Sequence, residues 1–542
     1  MFPKPHSQKM AGKSMAKSIS SFLTRVLFGR TKATTNIDAK PTQRFANIAK
    51  TSLEDFSPET IVFDLEGTLL RSSSLFPYFM LVAFEVGGFL RALVLLLAYP
   101  FVCMLNQETM LHVMVFICFV GVRRESFRLG SAVLPKFFLE ELGREAFDGV
   151  MGFGQRVAIT RLPRVMVEVK HTSCSTSFLK EWLGVDTVVG REVAVFRGRF
   201  TGLMEKNKVR QELSRLLCER RLMGSRATCI GCFGKPWPFD HQQLLAHCKE
   251  VYMVSQAEKR NWHLLPNYPK PLIFHDGKLA FRPTPLATLA MFMWLQLGLP
   301  LSILRIILGI LLPFSISGPV MAMTGVKITV SKPQNPNFDP NPLANSTKGT
   351  LYACNHKTLL DPVFVSYALS KPLTAAIYSL SPFNEAISPI QTVRLARDRE
   401  QDTKLMQRAL TRSDLVVCPE GTTCREPYLL RFSPLFARVS KDIVPVPIDV
   451  GISMFYGSTA RGPKCWDPVF HFMNPNSSYT LQILEKLPAS YTCEGGGKSG
   501  VEVANYVQSQ IAGALGFECT LLTRKDKYMV LAGNDGRVKA EN

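Results

Sequence analysis

Two kinds of apolar pattern alternate along this chain of 542 residues. In residues 150–282, and again in residues 349–487, short β-rich runs alternate with segments of helical periodicity. Residues 165–169 and 193–196 are examples of such runs. Strands that alternate with helices are typical of α/β domains, and the chain is too long for one ordinary domain. The pattern therefore predicts an α/β fold in both halves of the chain.

The first long apolar segment, residues 75–122, lies inside the first half. The charged residues Glu85 and Arg91 and a turn at residues 106–108 interrupt it. Its densest part, residues 89–105, is slightly shorter than the roughly 20 residues with which a helix crosses a bilayer. The segment predicts either a helical hairpin that dips into a membrane or a hydrophobic cap.

The second apolar segment covers residues 285–330. Residues 286–304 and 306–326 carry no charge, and Arg305 separates them. This pattern predicts membrane segments, as two short spans or as one re-entrant hairpin, with a pair of soluble core helices as the alternative. We expect Arg305 to lie at the membrane interface, with its charged end toward water.

These patterns also set the predicted boundaries of the domains. We expect a basic disordered tail (residues 1–55), a first α/β domain (56–280) with the hydrophobic insertion 75–122, membrane segments (285–330), a second α/β domain (331–520) and a polar tail (521–542).

The amino-terminal tail has a single acidic residue, Asp38, among many Lys and Arg residues in positions 1–50. Such a tail contacts anionic lipid. A mitochondrial transit peptide is the alternative, because those peptides are also basic, rich in Ser and poor in acids. We therefore expect the chain at the endoplasmic reticulum membrane, with a mitochondrial membrane as the alternative.

The formal net charge of +21 calls for an anionic partner. Lys and Arg are spread along the chain, without the basic patch or module expected of a nucleic-acid-binding protein. A lipid bilayer and phosphate-bearing small substrates therefore fit better than nucleic acid. The 13 cysteines include one CxxC pair, Cys229 and Cys232, without a second pair at metal-binding spacing. We predict free thiols and no metal site.

Candidate chemistry begins in the second half, where His356 follows a predicted strand and Asp361 lies five residues further on. A carboxylate can hold an imidazole in one tautomer and stabilise its charged form. Five residues on a regular helix would point the two side chains about 140° apart. We therefore expect His356 in a turn and Asp361 in the first helical turns. Taken alone, this spacing is a weak signal and favours an exposed His and a capping Asp.

Three further segments follow in order. They are an arginine-rich run at residues 393–399, a strand that ends in Pro419-Glu420-Gly421-Thr422, and an apolar strand with prolines at residues 443–448. In this order and with these gaps, the four segments resemble the motifs of the glycerolipid acyltransferase family, whose acyltransferase domain has an α/β fold.

The resemblance implies that His356, oriented by Asp361, is the general base that activates a hydroxyl of glycerol 3-phosphate. The hydroxyl would attack the thioester of acyl-CoA without a covalent enzyme intermediate or a cofactor. The implied substrate-binding residues are Arg397, Arg399, Glu420, Gly421, Thr422 and Arg425.

Among these, Arg397 matches the phosphate-binding arginine of the family, and a guanidinium group suits a phosphate dianion. Arg425 lies further from Thr422 than the family motif places its last residue, so its role departs from the pattern. The alternative interpretations are surface ion pairs for Arg394 and Arg399, and turn geometry for Gly421.

The first half carries a second motif. Asp64 and Glu66, followed by Gly-Thr, come after a buried strand and resemble the opening motif of haloacid-dehalogenase-like phosphatases, which has Asp at both positions. Thr160 matches the hydroxyl of that family's second motif. Residues 234–240 lack the acidic pair that holds Mg²⁺ in the family, although Asp240 could substitute. The resemblance implies a Rossmannoid, haloacid-dehalogenase-like domain without a metal and without phosphatase activity.

Together, the two halves resemble the plant glycerol-3-phosphate acyltransferases over residues 60–487. The resemblance implies lysophosphatidic acid as the product, in the synthesis of cutin, suberin or other glycerolipids. The alternatives are a lysophospholipid acyltransferase, a lipid-phosphate phosphatase that uses Asp64, and a non-catalytic membrane scaffold.

Overall fold

The computed structural model describes residues 42–44, 60–168, 178–205, 215, 229–234, 248, 250–265, 274–333, 349–378, 380–462 and 464–536. Most of the predicted basic tail, and Asp240, lie outside the described residues. The chain forms two compact units. Unit 1 comprises residues 1–127 and 140–266, and unit 2 comprises residues 128–139 and 267–542.

The strands are β1 (Thr42–Arg44), β2 (Thr60–Asp64), β3 (Gln155–Ile159), β4 (Thr187–Val189), β5 (Val193–Phe196), β6 (Arg199–Met204), β7 (Cys229–Gly234), β8 (Glu250–Val254), β9 (Val326–Ser331), β10 (Leu351–Cys354), β11 (Thr374–Ile377), β12 (Gln391–Arg394), β13 (Leu415–Val417), β14 (Tyr428–Leu429), β15 (Ile443–Val446), β16 (Ile448–Ile452), β17 (Ser477–Gln482) and β18 (Glu518–Cys519).

The helices are α1 (Phe76–Cys103), α2 (Gln107–Phe119), α3 (Leu129–Ala132), α4 (Leu134–Leu139), α5 (Arg144–Met151), α6 (Arg164–Val167), α7 (Phe178–Glu181), α8 (Gln256–Arg260), α9 (Pro285–Leu311), α10 (Phe314–Met323), α11 (Asp361–Leu369), α12 (Pro382–Ala386), α13 (Arg399–Leu410), α14 (Asp467–Phe472), α15 (Cys493–Gly496), α16 (Gly500–Leu515) and α17 (Arg524–Leu531).

Unit 1 is built on a six-stranded sheet in the order β1-β8-β7-β2-β3-β4, in which all neighbouring strands are parallel. Every residue of β2 is buried, because this strand lies in the middle of the sheet. Two local predictions were wrong. Residues 42–44 of the predicted disordered tail pair with β8, and most of the β-rich run 165–169 belongs to helix α6, which buries Met166 and Val167.

Helix α1 folds back on itself at Gly88. The φ and ψ angles there are 61° and −156°, a conformation that only glycine adopts readily. In a straight helix Phe76 and Tyr99 would lie about 34 Å apart, yet their ring centroids are 4.2 Å apart. Helix α1 therefore consists of two antiparallel arms, residues 76–87 and 89–103.

The hairpin continues into α2, and polar contacts join the three helical pieces. Arg91 Nη1 donates to the carbonyl oxygen of Cys118 at 2.7 Å, which satisfies the carboxyl end of α2. The thiol of Cys118 in turn donates to the carbonyl of Phe79, in the first arm, at 3.2 Å. Residues 75–122 thus form one packed helical element, and its insertion into a membrane stays a prediction.

The bend in α1 determines whether this helix is long enough to cross a membrane. As a whole the helix is long and apolar enough to cross a membrane, but each arm is shorter than the roughly 20 residues that a crossing needs. The first arm is buried, whereas the second exposes one apolar row. Leu97 and Phe101, 62% and 73% exposed, belong to this row together with Leu90, Val94 and Met104. The three-to-four-residue spacing places these side chains on one helical face.

Unit 2 contains a five-stranded parallel sheet in the order β12-β11-β13-β10-β15. Leu351 and Ala353 of β10 pack with apolar residues of α13 and α16, whereas Tyr352 and Cys354 face the other side and pack with α11. Helices thus cover both faces, as parallel sheets require. Two smaller sheets accompany it, β16-β17-β9 and β14-β18.

Two parts of unit 2 come from unexpected places in the sequence. Residues 128–139 belong to it, and the N–H of Asp276 donates to the carbonyl of Ala132 at 2.8 Å. Helix α17 lies within the predicted polar tail, but it buries Tyr528 and Leu531. Only one side of this helix is apolar, and its other residues are polar. The segment is therefore polar on average although one face packs against the unit.

The second apolar segment forms α9 and α10 and then β9, which pairs with β17. The prediction of membrane segments up to residue 330 was therefore wrong for the residues of β9. Helix α9 is long and apolar enough to cross a membrane. One of its faces contacts the α14 region, where Trp294 Nε1 donates to Met473 O at 2.7 Å and Ser302 Oγ to Val469 O at 3.0 Å.

Arg305 of α9 does not lie at an interface, so the sequence-based expectation for it was wrong. The residue is 0% exposed. Its Nη1 donates to the carbonyls of Phe472 at 2.6 Å and Asn474 at 2.7 Å, and its Nε donates to the hydroxyl of Thr324 at 3.1 Å. The guanidinium group thus supplies donors to carbonyl oxygens at the carboxyl ends of α14 and α10.

We predict that Arg305→Met lowers the free energy of unfolding of the detergent-solubilised chain by about 3 kcal/mol, because several buried carbonyls lose their donor together. Thermal unfolding measures the change. Leu304→Met, at the exposed neighbouring position, is the control and should leave the melting temperature almost unchanged. Equal melting temperatures for Arg305→Met and the wild type would contradict the structural role of this residue.

Candidate active site

The predicted site residues of unit 2 lie in loops at one edge of the five-stranded sheet. Because all five strands are parallel, their carboxyl ends meet there. His356 follows β10, Glu420 follows the adjacent β13, and Arg397 follows β12 at the far side. Three strand spacings separate β10 from β12, or about 14 Å. A long arginine side chain and a small phosphate ester can bridge such a gap.

His356 and Asp361 form a hydrogen-bonded pair. His356 lies in the turn after β10, and Asp361 is the first residue of α11. The Nδ1 atom of His356 and the Oδ2 atom of Asp361 are 3.0 Å apart. With its Nδ1–H donating to the carboxylate, the ring keeps Nε2 as an acceptor. This geometry can hold a general base in one tautomer.

Asp361 is fixed by several other donors and is 0% exposed. Its Oδ2 accepts the backbone N–H groups of Lys357 at 2.6 Å and Thr358 at 2.9 Å, and its Oδ1 accepts the hydroxyl of Thr358 at 2.8 Å. That hydroxyl also lies 2.7 Å from the hydroxyl of the buried Tyr479. The carboxylate therefore closes the turn that carries His356, in addition to contacting its ring.

The pKa of His356 is held well above its ordinary value of 6.5. Burial disfavours the charged ring and lowers the pKa, but the sulfur of Cys418 and the carboxylate of Asp361 favour the charged ring more strongly. A higher pKa makes the imidazole a stronger base and moves its deprotonation to higher pH.

Glu420 supports the same turn from the side of β13. Its Oε1 accepts the N–H of His356 at 2.7 Å, and its Oε2 accepts the N–H of Leu430 at 3.0 Å. Burial raises the pKa of Glu420 to about 7. Both oxygens are engaged by backbone groups, so this carboxyl group positions the His356 turn. The family resemblance had implied a place for Glu420 in substrate binding.

The two residues after Glu420 complete this loop. Gly421 has a φ of 66°, in the left-handed region that favours glycine, and its N–H donates to Cys418 O at 3.1 Å. Turn geometry thus accounts for this glycine. Thr422 is buried beside it.

Arg397 occupies a strained but well-supported position. Its φ is 68°, which is uncommon for a residue with a side chain. The buried carboxylate of Asp402 accepts the N–H groups of Ala396 at 2.8 Å and of Arg397 at 3.0 Å, and so holds this conformation. The guanidinium carbon lies 5.7 Å from the centroid of the Tyr378 ring. Strain held in this way is typical of functional positions.

The other predicted arginines differ in their surroundings. Arg394 forms an ion pair with Glu385, as expected for a surface position. Arg399 is exposed at the start of α13. Arg425 is directed elsewhere, because its Nη1 donates to Gly277 O at 2.7 Å and its guanidinium carbon lies 4.2 Å from the Tyr456 ring centroid. The structure therefore brings His356, Asp361 and Glu420 together and leaves Arg425 in a separate contact.

Sequence reasoning missed three supporting residues. Asn355 exchanges two hydrogen bonds with the backbone of Ile448, at 2.9 and 2.7 Å, which ties the His356 turn to β16. Asp402 supports Arg397, and Cys418 places its sulfur near the His356 ring and 3.5 Å from the sulfur of Cys354. The position of Asn355 directly before His356 was the available signal for the first of these.

In the phosphatase-like motif of unit 1, the side chain of Glu66 takes up the nearby hydrogen-bond donors. Asp64 ends β2, and the carboxylate of Glu66 accepts the hydroxyl of Thr160. The same carboxylate accepts the N–H groups of Arg161 and Leu162 at 3.2 Å. Burial and the neighbouring Asp64 raise the pKa of Glu66 to about 7. Glu66 thus fills the hydroxyl and N–H donors that could otherwise receive an anion.

A buried lysine also contacts the loop that carries Glu66. Lys259 of α8 donates from Nζ to the carbonyls of Glu66 at 2.9 Å and Leu70 at 2.8 Å. Among the described residues, no group of three or more His, Cys, Asp or Glu side chains could hold a metal ion. The segment 235–240, in which the sequence lacks an acidic pair, lies outside the described residues.

Comparison with known proteins agrees with this arrangement. Residues 60–254 match the family model "Glycerol-3-phosphate acyltransferase RAM2-like, HAD-like domain", and residues 328–450 match the model "Acyltransferase".

Curated relatives match over nearly the whole chain. "Glycerol-3-phosphate acyltransferase 1" of Arabidopsis thaliana is 49% identical, over 90% of this chain and 83% of its own length. "Probable glycerol-3-phosphate acyltransferase 2" of the same plant is 47% identical, over 90% and 91%. "Glycerol-3-phosphate acyltransferase RAM2" of Petunia hybrida is 42% identical, over 88% and 97%. The chain therefore belongs to the glycerol-3-phosphate acyltransferase family, with a haloacid-dehalogenase-like domain ahead of its acyltransferase domain.

Proposed function

We propose that this chain transfers an acyl group from acyl-CoA to a hydroxyl of glycerol 3-phosphate and so forms lysophosphatidic acid. The observation that carries the proposal is the imidazole of His356, whose Nδ1 lies 3.0 Å from the clamped carboxylate of Asp361. The family membership and the position of Arg397 at the same sheet edge support it.

In the proposed reaction, Nε2 of His356 takes the proton of the glycerol hydroxyl as the oxygen attacks the thioester carbon. The new C–O bond forms, the C–S bond breaks, and the proton passes from the imidazolium to the departing CoA sulfur. Asp361 stabilises the imidazolium between these steps. The acyl group moves directly to the acceptor.

Arg397 would hold the phosphate of the acceptor. Its guanidinium group is exposed near the carboxyl ends of the strands, and the Asp402 contact fixes its backbone. A planar guanidinium binds two phosphate oxygens at once, which orients the glycerol as well as attracting it. Arg399, exposed at the start of α13, would add attraction without a fixed geometry.

The exposed apolar faces of α1 and α9, each taken by itself, support association with a membrane surface. The second arm of α1 exposes its apolar row, and α9 exposes another with Leu286, Met293, Leu297 and Leu311. The opposite face of α9 is hydrogen-bonded to the α14 region, so the helix has one protein face and one lipid-facing candidate face. Such helices lie in the interface plane.

We propose that unit 1 is inactive as a phosphatase. The carboxylate of Glu66 accepts the hydroxyl of Thr160 and the N–H groups that follow it. Residues 234–240 contain no acidic pair that could hold Mg²⁺. A phosphoryl group would therefore find neither a free anion site nor a neutralising metal. The acylated phosphate would then leave as the final product.

We predict that His356→Ala lowers kcat for acyl transfer to glycerol 3-phosphate by at least about 10³-fold, because the general base is lost. In the wild type, kcat/KM should rise with pH and reach half its maximum above pH 6.5, since the raised pKa keeps the ring protonated at lower pH. Asp361→Asn should lower the plateau and move the rise to lower pH. A control substitution on the exposed face of α13, Lys404→Ala, should change neither quantity. A pH profile unaffected by Asp361→Asn would contradict the pairing.

We predict that Arg397→Ala raises KM for glycerol 3-phosphate by at least about tenfold, because a charged phosphate contact is lost. KM for acyl-CoA should stay within about twofold of the wild-type value. Arg394→Ala is the matched control, since this nearby guanidinium is already paired with Glu385. Steady-state kinetics with each substrate varied in turn measures both constants. Equal effects of the two substitutions would argue against a phosphate contact at Arg397.

We predict that the purified chain releases phosphate from lysophosphatidic acid only at the background rate, and that Asp64→Asn does not change this rate. A phosphate assay on the wild type, on His356→Ala and on Asp64→Asn measures it. Release that survives His356→Ala and disappears with Asp64→Asn would show an active phosphatase.

A further inference from the structure

Unit 1 contains a cavity of about 440 Å³ that the proposed reaction does not use. The loop after β2, helix α1, helix α2 and helix α8 line it. Its volume falls within the range of roughly 300–1,000 Å³ that small-molecule sites occupy. All its lining residues belong to unit 1, whereas His356 and Arg397 belong to unit 2.

Two guanidinium groups and several serines supply polar lining. Arg71 and Ser73 belong to the loop after β2, and Arg260 belongs to α8. Gln256 of α8 donates to Ser73 Oγ at 3.3 Å, which ties the two elements together. In the part of unit 1 that the structure describes, neither Arg71 nor Arg260 forms an ion pair. Guanidinium and hydroxyl groups together are typical of phosphate sites.

One acidic residue, Glu141, contacts the loop that lines the cavity. The carboxylate of Glu141 accepts the N–H of Ser72 at 3.2 Å, but Glu141 is not among the lining residues. Among the residues of unit 1 that the structure describes, no Asp or Glu lines the cavity. An anionic ligand would therefore meet two cations with no competing carboxylate in the lining.

The remaining lining is apolar and comes from the hairpin. Phe76 and Tyr99, whose rings are in contact, line the cavity together with Met110 and Met114 of α2. The arm that contributes Tyr99 also carries the exposed apolar row with Leu97 and Phe101. An apolar wall beside two cations fits a ligand that has an anionic head and a hydrocarbon chain.

We propose that this cavity binds a phosphomonoester that carries one acyl chain, a class to which lysophosphatidic acid belongs. The choice of that ligand rests on the proposed function, since it is the expected product. The cavity adjoins the phosphatase-like centre through neighbouring residues. Lys259 donates to the carbonyls of Glu66 and Leu70, and the residues that follow Leu70 and Lys259 in the chain, Arg71 and Arg260, line the cavity. With Glu66 filling that centre, the ligand is held without being hydrolysed.

Hydrogen–deuterium exchange of the full chain in neutral-lipid nanodiscs tests the proposal. The His356→Ala background prevents turnover, and peptides from unit 1 and unit 2 report the two sites separately. Oleoyl lysophosphatidic acid should protect peptides that cover residues 71–78, 107–116 and 256–260. Monooleoylglycerol lacks the phosphate and glycerol 3-phosphate lacks the chain, and neither should protect them at equal concentration.

The variant Arg71→Gln/Arg260→Gln should need at least about ten times more lysophosphatidic acid for half-maximal protection, because two charged contacts are lost. Arg144→Gln is the matched control, since Arg144 is exposed on α5 and does not line the cavity. Unchanged exchange of the β2 and β3 peptides without ligand shows that the double variant is folded.

Equal protection by monooleoylglycerol, equal protection by glycerol 3-phosphate, no protection at all, or full protection of the double variant would each overturn the proposal. The proposed function fails separately, if the wild type shows no acyl transfer to glycerol 3-phosphate. In that case, protection by lysophosphatidic acid would still show a binding site in unit 1, but its ligand would no longer be the product of this chain.

Discussion

The carboxylate of Asp361 is the contact on which the active-site geometry depends. It accepts from the ring of His356, from two consecutive N–H groups and from the hydroxyl of Thr358, and it is wholly buried. One group therefore shapes the turn, selects the tautomer and raises the basicity of the imidazole. Glu420, which follows the neighbouring strand β13, accepts from the same turn, and Asn355 ties the turn to β16, so elements of two sheets position the imidazole. Preorganisation of this kind removes reorganisation from the reaction step.

In both apolar segments, the packing of the helix decides whether a long apolar sequence can cross a membrane. The bend at Gly88 divides α1 into arms that are each too short to cross a bilayer. In α9, the buried Arg305 binds carbonyl groups of the surrounding chain, which attaches the helix to its own unit. Both helices retain an exposed apolar face. Helices with one protein-bound face and one exposed apolar face are typical of interfacial membrane helices.

Much of the fold and of the His356–Asp361 pair could be predicted because the signals are local. The strand before His356 and the five-residue spacing to Asp361 already required a turn and a helix start. The contacts of Glu420 and Asp402 could not be predicted, since both carboxylates bind backbone groups that only the folded sheet brings near. Arg305 was placed wrongly because an isolated charge in an apolar run gives no sign of carbonyls that lie about 170 residues further on. The Gly87-Gly88 pair was a usable signal for the bend.

We propose that the imidazole of His356 and the guanidinium group of Arg397, which follow strands β10 and β12 at the same edge of the sheet, bind a single acceptor molecule. An experimental structure of the full chain with bound glycerol 3-phosphate tests it most directly. We expect a glycerol hydroxyl oxygen within about 3 Å of His356 Nε2, and phosphate oxygens in contact with the Arg397 guanidinium group. A phosphate bound away from Arg397, or a His356 ring turned away from both the acceptor and Asp361, would contradict it.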